Sequence, residues 1–209
     1  MITASLLFSV IAFAIFIASV ILHEIAHGYV AYKLGDWTAK LDGRLTLNPL
    51  PHIDPLGTIL MPLALTLLGS PVVFGWAKPV PVNWYSLRNG ERGIFWVSIA
   101  GILVNVGLAI IGSILIRLSG IPSLLEAGWI VSLLYVLVSY NVLLALFNLV
   151  PIPPLDGSRL LRTVLPREQQ LMLDQLEPYG FVLLFMFLYF FQGSLGRSVS
   201  FVMHLFTGL

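Results

Sequence analysis

Cysteine is absent from this chain of 209 residues, and charge is scarce, with Asp, Glu, Lys and Arg together only 10% of it. The first absence excludes disulfides and thiolate metal sites, so any metal must be held by His, Asp or Glu, and the redox compartment stays undetermined. The second excludes an ordinary soluble domain, in which roughly a quarter of the residues are charged. Eleven Lys and Arg against ten Asp and Glu leave a net charge of +1. The basic residues are scattered rather than gathered in a patch, which excludes a nucleic-acid partner. The N-terminus lacks the basic region and small-residue cleavage site of a secretory signal, so its first apolar run is expected to remain as a membrane anchor. There is no internal repeat and no low-complexity tract.

What the chain has in quantity is apolar side chain. Hydrophobic residues make up 58% of it and the mean hydropathy is +0.94. The reading is an integral, multi-pass membrane protein whose solvent is the lipid bilayer. A helix that crosses a hydrocarbon core of about 30 Å needs about 20 apolar residues. Three segments meet this: Thr3 to Tyr32, Gly93 to Ile116 and Ala127 to Val150. Gly35 is placed to end the first, and Pro151, Pro153 and Pro154 must end the third, because proline removes a donor and clashes with the preceding turn. Tyr179 to Leu195 is a shorter fourth candidate, and Ser198 to Leu209 is expected to lie at the interface or return partway. The segment Leu56 to Leu68 would reach only about 20 Å as a helix, which suggests a re-entrant element. Beside it, Gly43 to Leu50 and Ala77 to Trp84 alternate partly and carry turn residues, the pattern of short strands.

The expected fold is therefore an all-α polytopic membrane protein of about four to six membrane helices, with a re-entrant or short β element between the first two full spans. It forms one domain over 1–209. Within it lie a helix at 3–32, an extended or re-entrant region at 40–90, helices at 93–117 and 127–150, and a C-terminal helix or hairpin at 178–209.

The chemistry sits at the inner end of the first helix, in "HEIAH", His23 to His27. Residues four apart share a helix face, so His23 and His27 can offer ring nitrogens to one ion, with Glu24 beside them. This is the spacing of a zinc hydrolase: zinc lowers the pKa of water in its open position from near 16 to about 7, and a carboxylate can take the proton. The plain alternative is a pair of buried histidines with Glu24 as ion partner, but three ionisable side chains within five residues of a membrane helix are costly to keep without function. A catalytic zinc needs a third protein ligand. His52 and His204 are the other histidines, and neither ends a clean span. Asp156, in "NLVPIPPLDG" (Asn148 to Gly157), follows the third span; its plain alternative is a cap that opens the next helix, and a cap and a ligand are not exclusive.

"HEIAH" at an inner helix end, followed in a later span by "NLVPIPPLDG", resembles the site-2 protease family of intramembrane zinc metalloproteases, peptidase M50, in a compact form without a PDZ or CBS domain. "GILVN", Gly101 to Asn105, is similar to a third family element. The resemblance covers roughly residues 5 to 165. It implies one Zn2+ per chain held by His23, His27 and Asp156, Glu24 as general base, and Asn148 and Asn105 as substrate-binding residues. It also implies peptide-bond hydrolysis in or near the transmembrane helices of membrane proteins, regulated intramembrane proteolysis, with a transmembrane or signal-peptide-like protein as substrate. Gly101 and Asn105 can alternatively be read as small residues that let helices pack closely. Oligomeric state is left open.

If all three ligands meet, the first and third clear spans run in the same direction and an odd number of crossings separates them. Leu56 to Leu68 then cannot cross. On that topology Lys33, Lys40, Arg44, Lys78, Arg88, Arg92, Arg159, Arg162 and Arg167 share the ligand-bearing face, opposite Arg117 and Arg197. The positive-inside rule puts that face in the cytoplasm, and the protein in the cell's inner (cytoplasmic) membrane. His52 and Asp54 in "PHIDP" read as turn structure rather than a second metal site. Two other readings compete. One is an anchored soluble-type metalloprotease with Glu91, Glu168 or Glu177 as third ligand; the other is a non-catalytic zinc-binding membrane protein or adaptor.

Overall fold

The computed structural model describes residues 2–69, 75–121 and 128–208. Its first helix, α1 (Ile2–Lys33), has no proline and no charge before His23 and Glu24, so its hydrogen-bond ladder runs unbroken for 32 residues. It ends where Gly35 takes a φ of +105° and the Asp36 N–H returns to Ala31 O at 3.0 Å, a glycine-based stop. A single turn, α2 (Thr38–Leu41), follows. A π-helical turn over Pro55–Leu60 then runs into α3 (Met61–Leu67). Two long helices, α4 (Glu91–Leu118) and α5 (Trp129–Asn148), come next. Two short amphipathic ones, α6 (Asp156–Val164) and α7 (Arg167–Leu176), precede the last, α8 (Gly180–Thr207).

Four helical stretches are long and apolar enough to cross a membrane: 5–33, 91–118, 129–148 and 167–207, the last of which includes α7 and α8. The outward faces carry large apolar side chains, among them Leu6, Phe13, Ile114, Phe185 and Phe190. Such a surface suits lipid as solvent. Where helices touch, side chains shrink, because lipid-embedded helices associate by close packing rather than by the hydrophobic effect. Ala109 and Gly112 of α4 meet Val138 and Val142 of α5, and Met203 of α8 closes the same cluster. Arg117, at the end of α4, donates from Nε to Phe206 O at 2.6 Å and from Nη2 to Leu205 O at 2.7 Å. The C-terminal ends of α4 and α8 therefore lie together, opposite the ends of α1 and α5.

Two expectations are corrected. No strand occurs among the described residues, so the short β element is not present there: Gly43 to Leu50 forms turns, and Ala77 to Trp84 is irregular and forms no ladder, its last residue opening a 3-10 turn. The reason lies in the prolines. Pro79 and Pro81 remove alternate N–H donors from the second tract, and Pro49 and Pro51 stop the first. The N–H groups that remain go to separate neighbours. Trp76 N–H donates to Gly57 O at 3.2 Å, Lys78 N–H to His52 O at 2.9 Å, Val80 N–H to Glu24 Oε2 at 2.7 Å and Asn83 N–H to Asp36 Oδ2 at 2.7 Å. The result is a strap, residues 75–83, laid over the inner end of α1. The second correction concerns Ser198 to Leu209, which neither returns nor lies apart: α8 continues through it to Thr207 as one helix.

Candidate metal centre

Packing brings three elements together at the inner ends of the helices. His23 and His27 stand one turn apart on α1, both buried. Asp156 is the first residue of α6, reached after the prolines at 151, 153 and 154 turn the chain away from α5. The cap position is Leu155, and no side chain caps α6, so the Asp156 carboxylate faces the imidazoles instead of its own helix. Its Oδ2 lies 3.2 Å from His23 Nε2 and 3.2 Å from His27 Nε2, and the two Nε2 atoms are 3.0 Å apart. A tetrahedral ion with ligands at 2.0–2.1 Å has ligand–ligand edges of about 3.3–3.4 Å. The triangle comes within a few tenths of an ångström of that size.

The donor set fits a cation as well as the distances do. His27 Nδ1 is 2.7 Å from Val97 O, a carbonyl that can only accept, so Nδ1 carries the proton. His23 Nδ1 faces Asn105 Oδ1 at 2.6 Å and does the same. Both Nε2 atoms then present lone pairs to each other and to Asp156 Oδ2, a buried oxygen without a hydrogen-bond donor. Three inward lone pairs need positive charge at their centre. A proton could bridge one edge; a divalent ion satisfies all three.

Two glycines make the convergence possible. A Cβ on Gly101 would lie 2.6 Å from His23 Cε1 and Nδ1 and 2.6 Å from His27 Nε2, so α4 can approach α1 this closely only without a side chain there. A Cβ on Gly157 would strike the carbonyls of Leu149 and Val150, so the turn that delivers Asp156 also depends on glycine.

The remaining residues singled out by sequence are distributed as follows. Glu24 is half-buried, with Oε2 held by the Val80 N–H of the strap. Asn105 is fully buried behind His23, with Oδ1 toward the imidazole and Nδ2 bonded to Asn141 Oδ1 at 2.8 Å. Asn148 is half-buried, and its Nδ2 bonds Leu144 O of its own helix at 3.0 Å. His52 is buried with Nε2 on Thr46 O at 3.0 Å, and Asp54 Oδ1 accepts from the N–H groups of Leu56 and Gly57, so this pair is turn structure. His204 lies near the end of α8, at the opposite ends of the helices. Glu91 and Glu177 are paired with Arg162 and Arg159, and the carboxylate grouped with the two imidazoles is that of Asp156. Sequence reasoning missed Asn141 and Ser19, both buried and linked to Asn105, and Asp36, which ties α2 to the strap. A buried asparagine in an otherwise apolar span is the signal that could have found Asn141.

Comparison with known proteins identifies the family. The model of peptidase family M50 matches residues 115–191. The chain is 42% identical to YwhC of Bacillus subtilis, which carries a zinc-metalloprotease name, over 88% of this chain and 80% of that protein. It is 31% identical to Rip2 of Mycolicibacterium smegmatis over 83% of this chain and 64% of that longer protein, and 30% identical to zinc metalloprotease MJ0392 of Methanocaldococcus jannaschii over 78% and 36%. No solved structure matches significantly. This chain belongs to peptidase family M50 and is a zinc metalloprotease with several membrane-spanning helices.

Proposed function

We propose that this protein hydrolyses peptide bonds in or near the transmembrane segments of other membrane proteins, holding one zinc ion per chain on His23, His27 and Asp156. The observation that carries the reading is the triangle of Nε2, Nε2 and Oδ2 at 3.0–3.2 Å, two imidazoles and a carboxylate converging on one point. When bound, zinc makes water nucleophilic near neutral pH and polarises the scissile carbonyl. Everything else falls to the chain. Glu24, next to His23 on α1, accepts the proton of the attacking water and delivers it to the leaving amine. Its carboxylate is positioned by the Val80 N–H at 2.7 Å. Asn148, at the last turn of α5, offers an amide to the main chain of the substrate.

Location supports a membrane substrate. His23 is the twenty-second residue of α1, about 32 Å from its start, which puts the site near the boundary of the hydrocarbon rather than outside it. A substrate helix has its amides bonded internally and must unwind before a carbonyl can be attacked. A transmembrane protein or a signal-peptide-like remnant fits that geometry. The predominance of Lys and Arg on the ligand face orients the site toward the cytoplasm, in the inner membrane.

The test uses purified protein in lipid nanodiscs with a single-span substrate. Glu24→Gln should abolish cleavage and leave one zinc per chain, whereas Asp156→Ala should lose both. Cleavage by Glu24→Gln would remove Glu24 as the base, and full zinc in Asp156→Ala would remove Asp156 as a ligand. Wild-type protein that binds zinc but cuts nothing would favour a non-catalytic role.

A further inference from the structure

Behind the metal centre runs a line of buried polar groups that crosses three helices. Asn141 of α5 and Asn105 of α4 are fully buried, and Ser19 of α1 nearly so. Such groups in the middle of apolar spans are costly unless each bond is made. The amide orientations can be derived from one fixed point. Leu137 O is a carbonyl and can only accept; Asn141 approaches it at 2.9 Å and must present its NH2 there. Ser19 Oγ gives its proton to Ile15 O at 2.9 Å, so toward Asn141, also at 2.9 Å, it too accepts. The NH2 of Asn141 is thereby fully used, and its Oδ1 must face Asn105. That oxygen demands a donor, so Asn105 turns its Nδ2 to it, at 2.8 Å, and its own Oδ1 toward His23. His23 Nδ1 has one choice left, to donate at 2.6 Å.

We infer that Asn141 is a positioning residue for the metal centre: acting through Asn105, it fixes His23 as the Nδ1–H tautomer and keeps Nε2 free for the ion. The inference rests on the reading of His23 as a ligand. Without Asn141, the Asn105 amide has no partner to orient it and can turn over, presenting Nδ2 to His23. The imidazole would then accept at Nδ1 and carry its proton on Nε2, the atom that faces Asp156. That tautomer cannot bind a cation through Nε2. His27 has no such weakness, since its Nδ1 is held by a backbone carbonyl. The device is therefore specific to one of the two imidazoles.

Two measurements test this. The first uses metal-free wild-type protein with 15N-labelled histidine; four histidines make the spectrum tractable, and His23→Gln identifies the His23 signals. The expected pattern is a protonated Nδ1 and an unprotonated Nε2 at His23. The reverse pattern would overturn the inference without any variant having to fold. The second is zinc affinity, measured by chelator competition on protein whose helix content and melting temperature are recorded. Asn141→Leu should bind zinc about 10- to 100-fold more weakly, as expected for loss of a group supporting a ligand. Adding Asn105→Asp to that variant should restore affinity to within about threefold, because a carboxylate can only accept from Nδ1 whichever way it turns. A packing defect would not respond to that change. Wild-type affinity in Asn141→Leu, or failure of Asn105→Asp to rescue it, would refute the assignment. Asn141→Ala substitutes if the leucine does not fold. If the wild-type protein itself takes up no zinc, the metal site falls; if wild type binds and the variants bind equally, only the role of Asn141 falls.

Discussion

Gly101 shows how much of the site depends on an absence. The two imidazoles stand where its side chain would be, each with an atom 2.6 Å from the position of a Cβ. A methyl group there cannot be accommodated by a flexible tip, because both neighbours are rings fixed at Nδ1. Gly101→Ala should therefore displace at least one ligand and weaken zinc binding by tenfold or more, the scale on which supporting residues act. Chelator competition measures this, and unchanged affinity would mean that α4 shifts to take up the methyl. In the sequence, the spacing of His23 and His27 was legible because an i, i+4 pair shares a helix face whatever the tertiary structure. Gly101 was legible only as a small residue suited to packing. What it packs against, and that Asn105 points at His23, depends on the rotation of α4 against α1, which no local pattern encodes. Asn141 was legible at most as a polar residue in an apolar span; what it bonds was not, because its partner is 36 residues away and on a different helix.

At the scale of elements, the long helices followed from length and hydropathy, while the region between α1 and α4 did not. Alternation in "AKPVPVNW" suggested a strand, but prolines at 79 and 81 leave too few N–H groups for a ladder, and the tract became a strap whose bonds run to four different partners. Its separate N–H bonds give it a role a paired strand would not have: Val80 N–H holds Glu24 while the Val80 side chain is buried over Gly28. Val80→Pro deletes that one donor. If Glu24 is the base, the substitution should lower cleavage by about 10- to 100-fold through loss of orientation while zinc content stays at wild type. Val80→Ala, which keeps the N–H and loses part of the packing, is the control and should be much closer to wild type. Equal activity of Val80→Pro and wild type would show that the strap does not position Glu24. The C-terminal segment teaches the complementary point. Tyr179 to Leu195 and Ser198 to Leu209 were expected as separate pieces, yet the polar and small residues between them do not stop a helix whose backbone bonds are intact, and α8 passes straight through.

At the scale of the whole molecule, the metal centre constrains how the chain threads the membrane. His23 and His27 lie near the C-terminal end of α1, and Asp156 lies just beyond the C-terminal end of α5. For their donor atoms to meet within 3.2 Å, α1 and α5 must point the same way, with an odd number of crossings between them. α4 supplies one. The apolar stretch Pro55–Leu67 cannot supply another, and its 13 residues, about 20 Å of helix, are too short to do so without thinning the bilayer. The tracts before and after it must therefore share a side, and the positive-inside rule applied to the basic residues there predicts that this side faces the cytoplasm. The absence of native cysteine allows a direct test. Asp42→Cys and Arg92→Cys, at exposed positions flanking the stretch, should react with a membrane-impermeant thiol reagent only when it has access to the cytoplasm, and Ser119→Cys at the far end of α4 only from outside. Labelling of 42 and 92 from opposite sides would mean that the stretch crosses. α1 and α5 would then be antiparallel in the membrane, Asp156 would be parted from the two imidazoles by the thickness of the bilayer, and the three-ligand centre could not form.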